Sequence, residues 1–265
     1  MLCFPEAPSD FGYEISKIST VLGLKITNKP NRFHLALAWQ DTTVRTFSTD
    51  SLPPNTHLLN SRCPDIGKDY IEEVFESVFG YSLRVDPTTH KGPCVRKSIE
   101  NAKHDGVVLN CPIQKTEAGY VYQRLINNQS DDDYIVDLRT PFYRDALPLV
   151  YLKYRPTKTR FADRNDRVEL ARTDDIYSPA EKELILKFCR ALQLEYGGLD
   201  VLRDKESGLL YIVDVNNTPF GPPIQLSTSD QIRAVATLAA TFYEKFINQV
   251  PLPPAPKAET AQTSV

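Results

Sequence analysis

Several common signatures are missing from this 265-residue chain, and each absence removes a class of protein. No stretch approaches the ~18 consecutive apolar residues of a membrane-spanning helix, so no span is expected. The opening Met1-Leu2-Cys3-Phe4-Pro5-Glu6 has no charged segment leading into an apolar run, so no secretion signal is expected either. Charge of one sign is not in excess: 31 Lys and Arg face 34 Asp and Glu, a net charge of −3. That provides no general attraction to nucleic acid or to an anionic membrane. The five cysteines, Cys3, Cys63, Cys94, Cys111 and Cys189, are odd in number and contain no CxxC pair. This pattern fits reduced thiols in a cytoplasmic setting better than a disulfide framework or a zinc site. Cys94 and Cys189 lie in apolar surroundings and read as packing residues. GxxxxGK[ST], GxGxxG, HExxH and GxSxG are all absent, and His34, His57 and His90 have no matched partners for zinc. What remains is an ordinary globular composition, with 41% apolar, 25% charged and 10% aromatic residues. The length suits one large domain or two small ones.

Along the chain, Phe33 to Trp39 reads as a strand onto which Thr43 to Phe47 can pair back. His57 to Asn60 is a short buried strand. The spacing of Tyr70, Ile71, Val74, Phe75 and Val78 predicts a helix, with Asp65 able to cap it and Gly80 closing it. From residue 81 strands take over: 92–97, 106–109, 120–126, 134–138 and 149–154, an antiparallel-rich stretch with short turns. Asp131-Asp132-Asp133 reads as an exposed turn. Ser178-Pro179-Ala180-Glu181 is a strong helix start, since Ser caps, Pro takes the first helical position and Glu closes a capping box. A hairpin follows, then a last helix near Asp230 to Asn248. The tail from Pro251, rich in proline and polar residues, is expected to be disordered.

The hairpin carries the most information. Its apolar runs, Gly198 to Lys205 and Leu209 to Asn217, flank Glu206-Ser207-Gly208, which fits a three-residue loop with glycine in the left-handed position. With that loop Lys205 faces Leu209, Asp200 faces Asp214, and Asn216 shares their face. Two carboxylates opposed in an apolar hairpin repel one another. Either both turn to solvent, or a cation joins them, and hard oxygen ligands with few protein donors suit Mg²⁺ bound together with substrate phosphates.

This segment resembles the metal-binding end of the ATP-grasp superfamily, which places an acid on one strand and an acid-x-Asn pair on the next, with a proline soon after. Here those are Asp200, Asp214-Val215-Asn216 and Pro219. Asp214 stands where the family more often has Glu. The pattern is similar to that of the glutathione synthetase and ribosomal-protein glutamate ligase branches over about residues 56 to 222. The resemblance implies an α+β fold in which two α+β lobes with antiparallel sheets clamp ATP, behind a short N-terminal α/β piece. It divides the chain into residues 1–60, an ATP-grasp domain over 61–250, and the tail 251–265. It also implies that Asp200, Asp214 and Asn216 hold Mg²⁺, that Lys68 and Lys97 touch the α- and β-phosphates, and that Gln123, Arg124, Leu125 and Ile126 border the adenine. Arg155 or Lys153 would stabilise the transferring phosphoryl group, and the loop 98–106, which has a single glycine at its end, would close over ATP.

The run Lys153, Arg155, Lys158 and Arg160 reads either as a solvated face or as a cluster aimed at phosphates. Arg155 and Arg139 also suit bidentate binding of a carboxylate. His104 reads as a surface residue. The resemblance thus implies an ATP-dependent, ADP-forming carboxylate–amine ligase working through an acyl phosphate on small-molecule or peptide substrates. A nucleotide sensor on the same fold, or a phosphotransferase, are the alternatives.

Overall fold

Three sheets organise the residues described by the computed structural model, 1–31, 33–130, 133–162 and 164–248. The first is a small parallel sheet of β1 (Leu2–Pro5), β2 (Ala36–Trp39) and β3 (Leu58–Leu59), in that order. Helix α1 (Glu14–Val21) connects β1 to β2. Parallel neighbours need such a crossover, so this is the α/β part of the chain. The expected return strand over Thr43 to Phe47 does not form. Val44 makes one bridge to Asp65, and Arg45 turns inward to donate to the carbonyls of Ala38, Asn60 and Cys63. Burying a guanidinium there is tolerable because three carbonyls receive it.

Helix α2 (Lys68–Phe79) begins on Gly67 rather than on Asp65, whose Oδ1 instead accepts the Gly67 amide at 2.7 Å. It stops at Gly80, which has φ +77°, a conformation open to glycine without steric cost. Strands β4 (Gly92–Ser98), β5 (Val107–Cys111) and β6 (Tyr120–Arg124) then form an antiparallel sheet in the order β5-β4-β6.

The largest sheet is also antiparallel. It contains β7 (Tyr134–Tyr143), β8 (Val150–Pro156), β9 (Arg167–Ala171), β10 (Tyr196–Arg203) and β11 (Leu210–Asn216), in the order β11-β10-β7-β8-β9. Between β9 and β10 come a single turn, α3 (Thr173–Ile176), and α4 (Pro179–Ala191). The capping box at Ser178 and Glu181 is present, with both reciprocal hydrogen bonds made. The last helix, α5 (Thr228–Phe242), is capped by Ser227 and runs into a π-turn over Tyr243–Ile247. Asp131, Asp132 and the tail lie outside the described residues. Among the described residues no helix is long and apolar enough to cross a membrane.

Side chains alternate between the faces of the large sheet. Leu138, Phe142, Val150, Leu199 and Val201 point to one face, into a core shared with Phe75 of α2 and with Ile185 and Phe188 of α4. Truncating a buried aromatic in such a core costs about 3–5 kcal/mol. Tyr143, Tyr151 and Tyr196 point to the other face, under α1 and α5, beside Ile15, Ile18, Leu238 and Phe242. The rest of that second face lines a cavity together with Lys97 of β4, Lys68 at the start of α2 and the loop 98–106, and the site lies there.

Candidate active site

The site grows out of strand register. Asp214 lies opposite Asp200, Asp200 opposite Arg139, and Arg139 opposite Tyr151, so one row crosses four strands. Two residues along β7 and β8, Asp137 lies opposite Lys153. Opposed residues share a face and lie close enough for their side chains to interact.

The opposition of Asp200 and Asp214 arises differently from the count made along the sequence. Near the turn the pairs are Arg203 with Leu210 and Val201 with Ile212, one residue out of step with a three-residue loop. A bulge then inserts Val213 as an extra residue, and the register shifts so that Asp200 meets Asp214. A longer turn and one bulge cancel.

Cations surround both acids. Arg139 donates to Asp200 Oδ2 at 3.0 Å, and Lys153 Nζ lies 3.7 Å from Asp200 Oδ1. Lys68, at the first position of α2, places Nζ 3.6 Å from Asp214 Oδ1 and donates to the Glu100 carbonyl at 3.0 Å. Arg155 pairs with Asp137, which also accepts from Asn128 at 2.9 Å. Burial by itself would raise the Asp200 carboxyl, but Arg139, Lys153 and Arg155 outweigh it and hold the group well below the usual carboxylate range. Burial has the opposite result at Lys97, where it lowers the ammonium to about 8 despite the attraction of Asp214 and Asp200.

These groups, Arg139 excepted, line one cavity of about 170 Å³. Lys68, Lys97, Lys153, Arg155, Asp200 and Asp214 all reach it, so six of the eleven sequence-expected side chains converge. Ile135, Leu202, Val213 and Phe161 supply its apolar lining. The loop 98–106 closes one side: Ser98 donates to Asp105 Oδ1 at 3.0 Å, and Gly106 lies so close to Phe161 that an added Cβ would sit 2.6 Å from the ring.

The other five expected side chains do not line this cavity. Gln123 is buried and donates to Glu72 at 2.8 Å, Arg124 is exposed and donates to the Ser82 carbonyl, Leu125 is half-buried, and Ile126 belongs to the hydrophobic core. Two backbone groups in this segment are also engaged, Arg124 N by Leu83 O and Ile126 O by Arg160. Asn216 lies outside the lining, and its Oδ1 accepts from the amide of Thr218 at 2.9 Å. The reading of the sequence missed Asp137, because its partners Lys153 and Arg155 become visible only once β7 and β8 are paired. Arg139, named from the sequence only as a carboxylate binder, lay just beyond the expected end of the strand, and its alternation with Asp137 and Ile135 was the signal for its place beside Asp200.

Among the described residues no three His, Cys, Asp or Glu side chains are grouped to hold a metal. Two features nevertheless suit a divalent cation. Asp200 Oδ1 is buried and accepts no hydrogen bond among the described residues, and Asp214 opposes it across the hairpin. Lys153 Nζ, 3.7 Å from that oxygen, is too far to donate a hydrogen bond, so Oδ1 keeps lone pairs that a divalent cation could take.

No protein-family model matches the sequence. No curated protein matches it. Solved structures do show similarity. One is the macrocyclase MdnC bound with precursor peptide MdnA, from Microcystis aeruginosa MRC, at 10% identity over 92% of this chain and 98% of that one, with a TM-score of 0.48. Another is the ATP-grasp ligase PsnB complexed with a phosphomimetic variant of its minimal precursor, Mg and ADP, at 14% identity and TM-score 0.45. That match covers 70% of this chain and spans only 62% of the length of PsnB. A third is the D-alanine–D-alanine ligase of Bacillus anthracis complexed with ATP, at 13% identity over 68% and 65% of the two chains, with a TM-score of 0.40. At these levels the chemistry of the site has to be read from its own side chains.

Proposed function

We propose that this protein is an ATP-dependent carboxylate–amine ligase of the ATP-grasp type, and that the cavity between its two antiparallel sheets is the active site. One observation carries the reading: Asp200 and Asp214 oppose each other in a single cavity that also receives Lys68, Lys97, Lys153 and Arg155. Two opposed acids to hold a cation, in a cavity that six Lys and Arg side chains line, suit a polyphosphate and its metal.

In this reading Asp200 and Asp214 hold Mg²⁺, with Asn216 joining if its side chain turns from Thr218. The metal, when bound, supplies charge neutralisation at the phosphates. Lys68 and Lys97 contact the phosphate chain. Ile135, Leu202, Val213 and Phe161 receive the base, a task the sequence had pointed to residues 123–126. Lys153 and Arg155 stabilise the γ-phosphoryl group as a carboxylate oxygen of the first substrate attacks phosphorus and ADP leaves. The amine nitrogen of the second substrate then attacks the acyl carbon and phosphate departs, leaving an amide. Most of the catalytic work is positioning and electrostatic stabilisation. Small-ligand pockets span about 300–1,000 Å³, so the cavity of about 170 Å³ must enlarge to admit the nucleotide. The loop 98–106 and the Phe161 ring that it touches are the parts that would move.

The test is turnover. Purified protein, Mg-ATP and a panel of small and peptidic carboxylates and amines should release ADP together with an amide product detected by mass spectrometry. Mg-ATP should also raise the melting temperature. Thermal stabilisation without turnover across the panel would favour a nucleotide sensor, a phosphoester product would indicate a phosphotransferase, and neither binding nor turnover would remove the cavity as a nucleotide site.

A further inference from the structure

Two of the five cysteines meet on β4 and β5, at the end of that strand pair away from the loop 98–106. Cys94 on β4 pairs with Leu109, and Cys111 on β5 pairs with Gly92, so the two cysteines are diagonal neighbours across adjacent antiparallel strands. Their Sγ atoms lie 2.8 Å apart, and both are free thiols. A disulfide has an S–S length of about 2.05 Å, so the sulfurs need to approach by less than about 1 Å. The environments differ: Cys94 is fully buried, whereas Cys111 is partly exposed. An oxidant from solvent therefore reaches Cys111 first and finds a second thiol already against it.

We infer that Cys94 and Cys111 form a peroxide-reactive modification site, in which an exposed sulfur is oxidised and a buried one resolves it to a disulfide. The Cys111 thiolate attacks one oxygen of hydrogen peroxide, the O–O bond breaks, and the departing hydroxide takes up the proton that the thiol had released, so that a sulfenic acid and water result. The Cys94 sulfur then attacks the Cys111 sulfur, the S–O bond breaks, and a second water leaves with the Cys94 proton. Overall, two thiols lose two electrons and two protons, and one peroxide becomes two waters. Burial, with Cys111 beside it, raises the Cys94 thiol, so Cys94 is the poorer first nucleophile toward peroxide.

The cross-link encloses the loop. Cys94 and Cys111 are separated by 17 positions, and Lys97 and the whole of 98–106 lie between them. Glu100, Ala102, Lys103, His104, Asp105 and Gly106 of that loop line the cavity. A covalent tie at the base of β4 and β5 limits how far these strands can shift when the loop opens. Slower entry and weaker binding of Mg-ATP should follow, a consequence that rests on the proposed function; the disulfide itself does not.

The test uses the full chain with hydrogen peroxide as oxidant, followed by alkylation of remaining thiols and peptide mapping. The expected result is a Cys94–Cys111 peptide pair lighter by two hydrogens, reversed by dithiothreitol, with Cys3, Cys63 and Cys189 still alkylated after unfolding. Cys111→Ser should abolish the cross-link and leave Cys94 as a thiol. Accumulation of a Cys111 sulfinic acid without a cross-link, or pairing of either residue with another cysteine, overturns the site. For the consequence, the oxidised protein should bind Mg-ATP at least threefold more weakly, with recovery on reduction and no effect of peroxide in Cys111→Ser. A fully formed disulfide with unchanged affinity overturns the effect on the loop while leaving the modification site standing.

Discussion

Two buried carboxylates on the same face of the large sheet meet opposite fates. Glu14, at the start of α1, is buried beneath the helical cover; its hydrogen bonds come from the hydroxyls of Tyr143 and Tyr196, and among the described residues no ion pair reaches it. Burial raises its carboxyl to about 7, only partly offset by Tyr143, Arg139 and Tyr196. Asp200, further along the face, is held in the opposite direction by Arg139, Lys153 and Arg155. Both groups lose water, so burial does not distinguish them. The supply of cations does: tyrosines donate single neutral hydrogen bonds, while a guanidinium and an ammonium add full charges. One end of the sheet face is therefore packed around a carboxyl that burial raises, and the other holds a charged carboxylate among cations.

Substitutions can test that contrast. The largest effect is expected at Asp200→Ala, which leaves Arg139 and Lys153 buried without their counter-charge. Urea denaturation should show a loss of about 3–5 kcal/mol, together with loss of the Mg-ATP thermal shift; a change below about 1 kcal/mol would mean that Asp200 does not anchor those cations. Asp214→Ala separates binding from folding. Its partner Lys68 is 3.6 Å away and Asp214 is partly exposed, so the apo protein should lose no more than about 1 kcal/mol. Mg-ATP should nevertheless no longer raise its melting temperature, and an unchanged shift counts against Asp214 as a metal ligand.

Glu14→Gln addresses the other end. A carboxyl raised from 4.5 to about 7 by folding binds its proton more tightly in the native state. The associated stability is complete below the unfolded value and is lost as pH rises through the folded one. Stability of the parent should therefore decline between about pH 4.5 and 7 relative to Glu14→Gln, by a difference of about 1–3 kcal/mol. Parallel stability curves for the two proteins across that range would show that Glu14 is ionised in the fold. The smallest effect is expected at Lys97→Ala, where removing one of several cations in the cavity should weaken Mg-ATP binding about tenfold, or about 1.4 kcal/mol. Equal affinity removes Lys97 from the site.

Legibility in the sequence followed the range of the interactions. The helix start at Ser178 and Glu181 was readable because both hydrogen bonds of the capping box lie within four residues. The helix stop at Gly80 was readable for the same reason. Less local features were not. Gly67 displaced Asp65 as the cap, Arg45 took the place of a strand by filling a pocket of three carbonyls, and β1, α1, β9 and α3 had no readable signal. The acids of the hairpin were located by alternation and by resemblance, yet their opposition depended on a bulge at Val213 that compensates for a longer turn. Lys68, Lys97, Lys153 and Arg155 were expected on chain order and reach the cavity, whereas the side chains of 123–126 are held elsewhere by Glu72, Ser82 and the core.

By itself the sequence determined the alternation that puts Asp200, Asp214, Asp137 and Arg139 on sheet faces, the caps that begin and end helices, and the cations available to a phosphate. Those depend on neighbours a few residues apart, and covalent geometry enforces them. Only the tertiary structure decided which carboxylate met which cation, which end of the sheet face was sealed under α1 and α5, and which cysteines touched. Such pairings join residues 17 to 182 positions apart, as from Cys94 to Cys111 and from Glu14 to Tyr196. They are set by strand register and by the depth at which each group loses its water, quantities that no local pattern carries.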